Sequence, residues 1–237
     1  MHYKISGSGP ALLLLHGFLE SNSIWAEIEE KVSLFTTTIV IDLPGHGKSE
    51  SLGPQQTITD IAHALEALLS SHQIEKIHLL GHSMGGYVAL AFAEFFPNRV
   101  NSLTLLNSTS LADSDERKEN RMRALQLLDT HKNAFVSMAI GNLFSEEAKI
   151  RFKPEIRLLK DKALQFSSEG IKASINCMMN RPNRTNVLKN FTKTKTVICG
   201  VDDPIVPIKA SEELALATQS RLIRLKGGHM SLSLIHI

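Results

Sequence analysis

With 237 residues, 43% of them hydrophobic and 21% charged, the chain can fill a large core and carries too little charge to be mainly disordered. A net charge of +2, with no basic run interleaved with aromatics, excludes nucleic-acid binding as its organising function. The longest early apolar run, Ala11 to Leu15, is too short to span a membrane and lacks a signal peptide's flanks.

Tyr3 to Ile5 reads as a short strand, and Gly7-Ser8-Gly9-Pro10 as a turn. Ala11 to Leu15 is continuously apolar, which suits a strand buried on both faces of a parallel sheet. After His16-Gly17-Phe18-Leu19, a helix is expected from about Ser23 to Val32, then a β-branched strand from Thr37 to Ile41. The next segment, Asp42-Leu43-Pro44-Gly45-His46-Gly47-Lys48-Ser49, ends like a phosphate-binding loop. That motif requires a glycine where Asp42 stands, so the segment reads as a glycine-rich turn.

Thr57-x-x-Asp60 is a capping box, and Ile58, Ile61, Ala62, Leu65, Leu68 and Leu69 then fall on one helical face. Ile77 to Leu80 is a strand leading into Gly81-His82-Ser83-Met84-Gly85-Gly86. Gly-x-Ser-x-Gly between a strand and a helix is the nucleophile-elbow pattern, in which a strained turn lifts a serine hydroxyl clear of the sheet. The small residues Gly85, Gly86, Ala89 and Ala93 let the following helix lie close to the sheet, and that helix stops before Pro97. Leu103 to Leu106 is a further strand.

Strand signals vanish between Ser110 and Lys189, where helices are expected over Asp113–Asp129, Ala134–Leu143, Lys153–Phe166 and Gly170–Met179. They resume at Thr194 to Cys199, followed by a loop over Gly200–Pro207, a helix from Lys209 to Ala217 and a strand from Arg221 to Leu225. The pattern predicts a mostly parallel α/β sheet flanked by helices. Residues 1–109 and 190–237 would form its core, with 110–189 an inserted helical cap rather than an independent domain. The two cysteines, Cys177 and Cys199, follow no metal or redox spacing and read as free buried thiols, which suits a cytoplasmic protein.

In open parallel sheets, functional groups gather beyond the carboxyl ends of strands. Ser83, the pair Asp202-Asp203 and His229 each follow such a strand, in the chain order Ser, Asp, His. A serine hydroxyl needs a base, and the base an orienting acid, so these three residue types suit acyl transfer.

The motifs Leu15-His16-Gly17-Phe18, Asp42 to Ser49, Gly81 to Gly86, Gly200-x-x-Asp203-x-x-x-Pro207 and Gly228-His229 together resemble the α/β-hydrolase superfamily, from Leu12 to His229. The resemblance implies that Ser83 is the acyl nucleophile, His229 its base and Asp203, rather than Asp202, the orienting acid. It places an oxyanion hole at the backbone N–H groups of Phe18 and Met84, and implies no metal and no cofactor. The expected substrate is a small-molecule carboxylic ester or related acyl compound, in the manner of carboxylesterases and 3-oxoadipate enol-lactonases. The alternatives are a menaquinone-pathway lyase, 2-succinyl-6-hydroxy-2,4-cyclohexadiene-1-carboxylate synthase, which usually carries an arginine where Tyr87 stands, and a non-catalytic ligand-binding member of the fold.

His16 is expected to hold the oxyanion loop, and His46 and His82 to hydrogen-bond within loops. Phe144, Met178 and Met179 either line an acyl pocket or simply pack. Trp25 either sits near the pocket mouth or anchors its helix. Partners other than substrate are not expected, nor are membrane or nucleic acid, and the oligomer is expected to be a monomer or weak dimer. Members of the superfamily usually continue into a final helix, whereas this chain ends eight residues after His229. A missing or truncated C-terminal helix, or foreign tail sequence, is therefore expected, with reduced stability from uncovered sheet.

Overall fold

The computed structural model describes residues 1–231 of the chain, and the expectations for the tail from residue 232 onward lie outside them. Seven strands are described: β1 (Tyr3–Ser6), β2 (Ala11–Leu15), β3 (Thr37–Ile41), β4 (Ile77–His82), β5 (Val100–Leu106), β6 (Thr194–Gly200) and β7 (Arg221–Leu225). They form one sheet in the order β1-β3-β2-β4-β5-β6-β7, with β1 antiparallel to β3 and the other pairs parallel. The apolar run of β2 is explained by burial on both faces. Leu13 and Leu15 point into one core cluster, while Leu14 points into another with Val40 and Leu106, as strand alternation requires.

Helix α1 (Ala26–Val32) follows Trp25. Trp25 is fully buried in the cluster of Leu14, Val40 and Leu106, so it anchors this end of the chain against the sheet and does not sit at a pocket mouth. Helix α2 (Ile58–Ser71) begins at the capping box expected from sequence: Thr57 Oγ1 accepts from Asp60 N–H, and Asp60 accepts from Thr57 N–H. Helix α3 (Met84–Phe95) is almost wholly buried, because its small residues bring it against the sheet.

The inserted helices are α4 (Asp115–Gly141), α5 (Glu146–Arg151), α6 (Lys153–Leu164) and α7 (Ser168–Met179). The two helices expected over 113–129 and 134–143 are the arms of α4, which bends where His131 leaves helical geometry (φ −143°, ψ 57°). Asp113 is not helical. The N-cap is Ser114, whose Oγ accepts from Arg117 N–H, and this leaves the Asp113 carboxylate free to meet arginines. These helices have their own apolar cluster, including Val136, Ile140, Phe144, Phe152 and Phe166.

Helix α8 (Thr185–Asn190) returns the chain to the sheet and packs against α3 and α9 (Ile208–Thr218). The entry and exit of the inserted helices are pinned together: Arg184 N–H donates to Ser110 O at 2.8 Å, and the Ser110 and Thr185 hydroxyls are 2.7 Å apart. Both cysteines are free and buried, and burial pushes the Cys177 thiol up to about 12. Among the described residues, no helix is long and apolar enough to cross a membrane.

Candidate active site

The sheet order reverses between β2 and β4: β3 lies on one side of β2, β4 on the other. Parallel α/β sheets open a crevice at such a point. Leu15 pairs in register with Gly81, so the loop after β2 and the serine after β4 emerge side by side. Ser83 has φ 50° and ψ −116°, a strained conformation for a side-chain-bearing residue. The glycines around it are obligatory. A Cβ on Gly81 would lie 2.3 Å from Gly85 O, and one on Gly85 would lie 2.4 Å from Leu15 O. The turn is held by Ser83 N–H donating to Leu106 O (2.9 Å) and by Ser108 Oγ donating to Ser83 O (2.7 Å).

Ser83, His229 and Asp203 meet in space. Ser83 Oγ is 2.8 Å from His229 Nε2, and His229 Nδ1 is 2.8 Å and 3.0 Å from the two oxygens of Asp203. A carboxylate at Nδ1 requires a proton there, which leaves Nε2 to accept from the serine hydroxyl. Asp203 Oδ1 also accepts the N–H groups of Ile205 (2.7 Å) and Val206 (2.9 Å). Asp203 is buried, whereas Asp202 is exposed. The chain can therefore move a proton between Ser83 Oγ and His229 while Asp203 holds the ring.

Asn107, Glu20 and His82 position this group, a role that the sequence reading gave to none of them. Asn107, fully buried at the end of β5 with φ 46°, donates from Nδ2 to His229 O (2.6 Å) and accepts Gly200 N–H at Oδ1 (2.7 Å). It thus ties the loop carrying His229 to the strand that precedes Asp203. Glu20 and His82 form a buried ion pair, with His82 Nδ1 3.0 Å from Glu20 Oε2. Glu20 also accepts Gly17 N–H, and His82 Nε2 donates to His229 O at 3.0 Å. Burial opposes charge on both, yet Glu20 raises the His82 imidazole, while His82 holds the Glu20 carboxyl below its ordinary range. An imidazole donating to a carboxylate and a carbonyl at once must carry both protons, in keeping with that direction. His82 is therefore more than a loop hydrogen-bonder, since it joins the loop after β2 to the backbone of His229.

His16 Nδ1 donates to Gly17 O (2.7 Å) and its Nε2 accepts Leu43 N–H (2.9 Å), while burial lowers its pKa. It braces the loop as a neutral ring. The backbone of His46 bonds within the loop, its N–H donating to Leu43 O and its carbonyl accepting Ser49 N–H, both at 2.9 Å, but its ring makes only a long contact with Pro44 O at 3.4 Å. It packs instead against the rings of His16, Phe18 and Phe166, and burial pushes it down to about 3. The turn after it depends on Gly47 (φ 54°): a Cβ there would lie 2.2 Å from the Asp42 carboxyl carbon. That carboxylate accepts the N–H groups of Asn22 (2.7 Å) and Lys48 (3.0 Å).

A cavity of about 620 Å³ opens onto Ser83 and His229. Phe18, Leu127, Phe135, Met138, Ile175 and Met178 supply apolar wall. Met178 therefore lines the cavity, whereas Phe144 belongs to the apolar interior of the inserted helices. Met179 and Trp25 are also absent from the wall. Met84 is the first residue of α3, so its N–H has no acceptor within the helix. Among the described residues, no group of three or more His, Cys, Asp or Glu is placed to hold a metal ion.

Residues 10–234 match the family described as alpha/beta hydrolase fold. The chain belongs to the α/β-hydrolase fold family. A thermophilic esterase from Thermogutta terrifontis, solved with malate bound, is similar to this hydrolase-fold chain at 31% identity and a TM-score of 0.92, covering 98% of this chain and 87% of that one. The enol-lactonase from Burkholderia xenovorans LB400 shares the fold, with 23% identity and a TM-score of 0.89 over 97% of this chain and 89% of that one. An uncharacterized protein of Mycobacterium tuberculosis is 38% identical over 106 residues, 45% of this chain and 31% of the relative. The chain thus spans about a third of the length of the mycobacterial relatives it matches.

Proposed function

We propose that the protein is a serine hydrolase that cleaves carboxylic esters or related acyl compounds through an acyl-enzyme. The observation that carries this reading is the hydrogen-bonded chain from Ser83 Oγ through His229 to Asp203, mounted on a positive-φ serine in the wall of a cavity. Membership of the hydrolase fold and the likeness to the Thermogutta esterase support it.

In this mechanism Ser83 Oγ attacks the substrate carbonyl carbon as its proton passes to His229 Nε2. Asp203 stabilises the imidazolium that forms. The carbonyl oxygen, now anionic, is received by the N–H groups of Phe18 and Met84, which together act as the oxyanion hole. Collapse breaks the ester C–O bond, and His229 returns the proton to the departing alcohol. Water then repeats the sequence on the acyl-enzyme, with His229 as base, and releases the acid and free Ser83. No step requires a metal or cofactor.

The same reading makes residues 110–189 a cap over a core of residues 1–109 and 190–237, with α4 and α7 forming the roof of the substrate cavity. Its setting would be cytoplasmic, with the enzyme a monomer or weak dimer.

The test is labelling with a fluorophosphonate, followed by hydrolysis of nitrophenyl esters. The native protein should be modified at Ser83, and Ser83→Ala should resist labelling and lose about 10⁴-fold or more in kcat/KM. Equal labelling of Ser83→Ala would refute the proposal.

A further inference from the structure

The face that α4 turns toward the cavity changes character along its length. Arg117, Asn120, Arg121, Ala124 and Leu127 recur at three- and four-residue steps and all line the cavity, as neighbours on one helical stripe must. The first two turns of that stripe are cationic and polar, and the later ones apolar. Arg123 lies at the same end of the cavity wall.

The positive charge at this end is not neutralised from within. Glu20 supplies the one carboxylate in the described wall, and it is already engaged by His82 and Gly17 N–H. Arg121 pairs with Asp113, but Arg181 pairs with the same carboxylate at 2.7 Å, so two guanidiniums share one negative charge. Arg117 donates from Nη2 to Ile205 O at 2.7 Å and meets no carboxylate among the described residues. Arg123 faces Glu119 at 3.6 Å, and both side chains are largely exposed, a pairing that solvent screens heavily. The anchor of Arg117 matters as well. Ile205 lies two residues beyond Asp203, and its N–H is bonded to the Asp203 carboxylate, so Arg117 is tethered to the loop that orients His229.

We infer that the Arg117–Arg121 end of the cavity is a carboxylate subsite, and that the substrate is an ester bearing a negative charge separated by an apolar chain from its scissile carbonyl. Guanidinium groups present paired N–H donors matched to a carboxylate. The apolar wall of the same cavity takes the methylenes of the chain. Asn120 and Asn142, both at the wall, add neutral donors. The inference rests on the ester-hydrolase reading above and narrows its substrate class.

The experiment compares mono-4-nitrophenyl esters of linear C6 to C8 dicarboxylic acids with the same compounds whose far carboxyl is methylated. For wild type, kcat/KM for at least one anionic ester should exceed that for its methylated partner by about tenfold, the scale of a charge-assisted contact. Raising sodium chloride from low to about 0.5 M should shrink that ratio. Arg117→Met should reduce the ratio about tenfold, mainly through KM for the anion, and Arg117→Lys should retain part of it. Equal rates for anion and methyl ester with wild type would overturn the subsite while leaving the esterase reading intact. A ratio unmoved in Arg117→Met would overturn it likewise. Hydrolysis of neither ester, together with no fluorophosphonate labelling, would instead remove the reading on which the subsite rests.

Discussion

The cavity has two walls built in different ways. The wall at the sheet edge is held by polar bonds between loops: Asn107 spans the histidine loop and Gly200, while Glu20 and His82 span Gly17 and His229. The wall formed by α4 and α7 rests mainly on apolar packing behind it, through Val136, Ile140 and Ile171. Directional bonds fix atoms to tenths of an ångström, as proton transfer demands. Apolar packing tolerates exchange of side chains of similar volume. One wall is therefore suited to a conserved reaction geometry, and the other to variation in what is bound.

The contrast is open to attack, beginning with its largest expected effect. Asp203→Asn should leave the fold intact and lower kcat/KM by about 10⁴-fold for every ester tried, because the amide favours the wrong tautomer of His229. A loss confined to some substrates would blur the two walls. Next, Glu20→Ala should destabilise the protein by about 3–5 kcal/mol in denaturant unfolding, since it leaves His82 charged or desolvated without a partner. A loss under about 1 kcal/mol would mean that the pair is not holding the loops.

Met178→Ala, in the other wall, should alter selectivity more than rate. The ratio of long-chain to short-chain ester hydrolysis should shift by about tenfold, within the range of one pocket contact. A uniform fall across chain lengths would move Met178 into the reaction geometry.

The last effect is absent near neutral pH and appears only in acid. His46 stays neutral in the fold down to about 3, while the unfolded chain takes up its proton below 6.5. The unfolded state then binds more protons, so stability present above 6.5 is lost as pH falls toward 3, by up to about 1.4 kcal/mol per pH unit from this group. His46→Phe should flatten that acid slope in pH-dependent melting. An unchanged slope would show that His46 is protonated in the folded protein.

The sheet was legible in sequence because β2, β3 and β4 are short runs of the type that only a doubly covered strand uses, and the elbow was legible because its glycines have no alternative. Ser83 and His229 could be placed from strand ends, which left Asp202 and Asp203 side by side, and the resemblance chose Asp203. Glu20 and Asn107 could not, because each works through a loop remote in sequence: 62 residues separate Glu20 from His82, and 122 separate Asn107 from His229. An acid in an otherwise apolar loop and an amide directly after a strand were the available signals. For Trp25 and Phe144 the sequence admits both a pocket wall and plain packing, and burial in the core clusters decides for packing. Helices α5 and α8 escaped notice because six residues are too few to display a 3.6-residue period.

The pin between Ser110 and Arg184 makes the inserted helices an almost closed loop, since the chain leaves the sheet and returns to it at a single hydrogen-bonded point. Loop-closure entropy grows only with the logarithm of length. Replacing the 73 residues between these anchors with a longer or shorter helical segment would thus change the chain-entropy cost by less than about 1 kcal/mol for a twofold change in size. The anchor is a natural graft junction, across which a different roof could be fitted over the same serine.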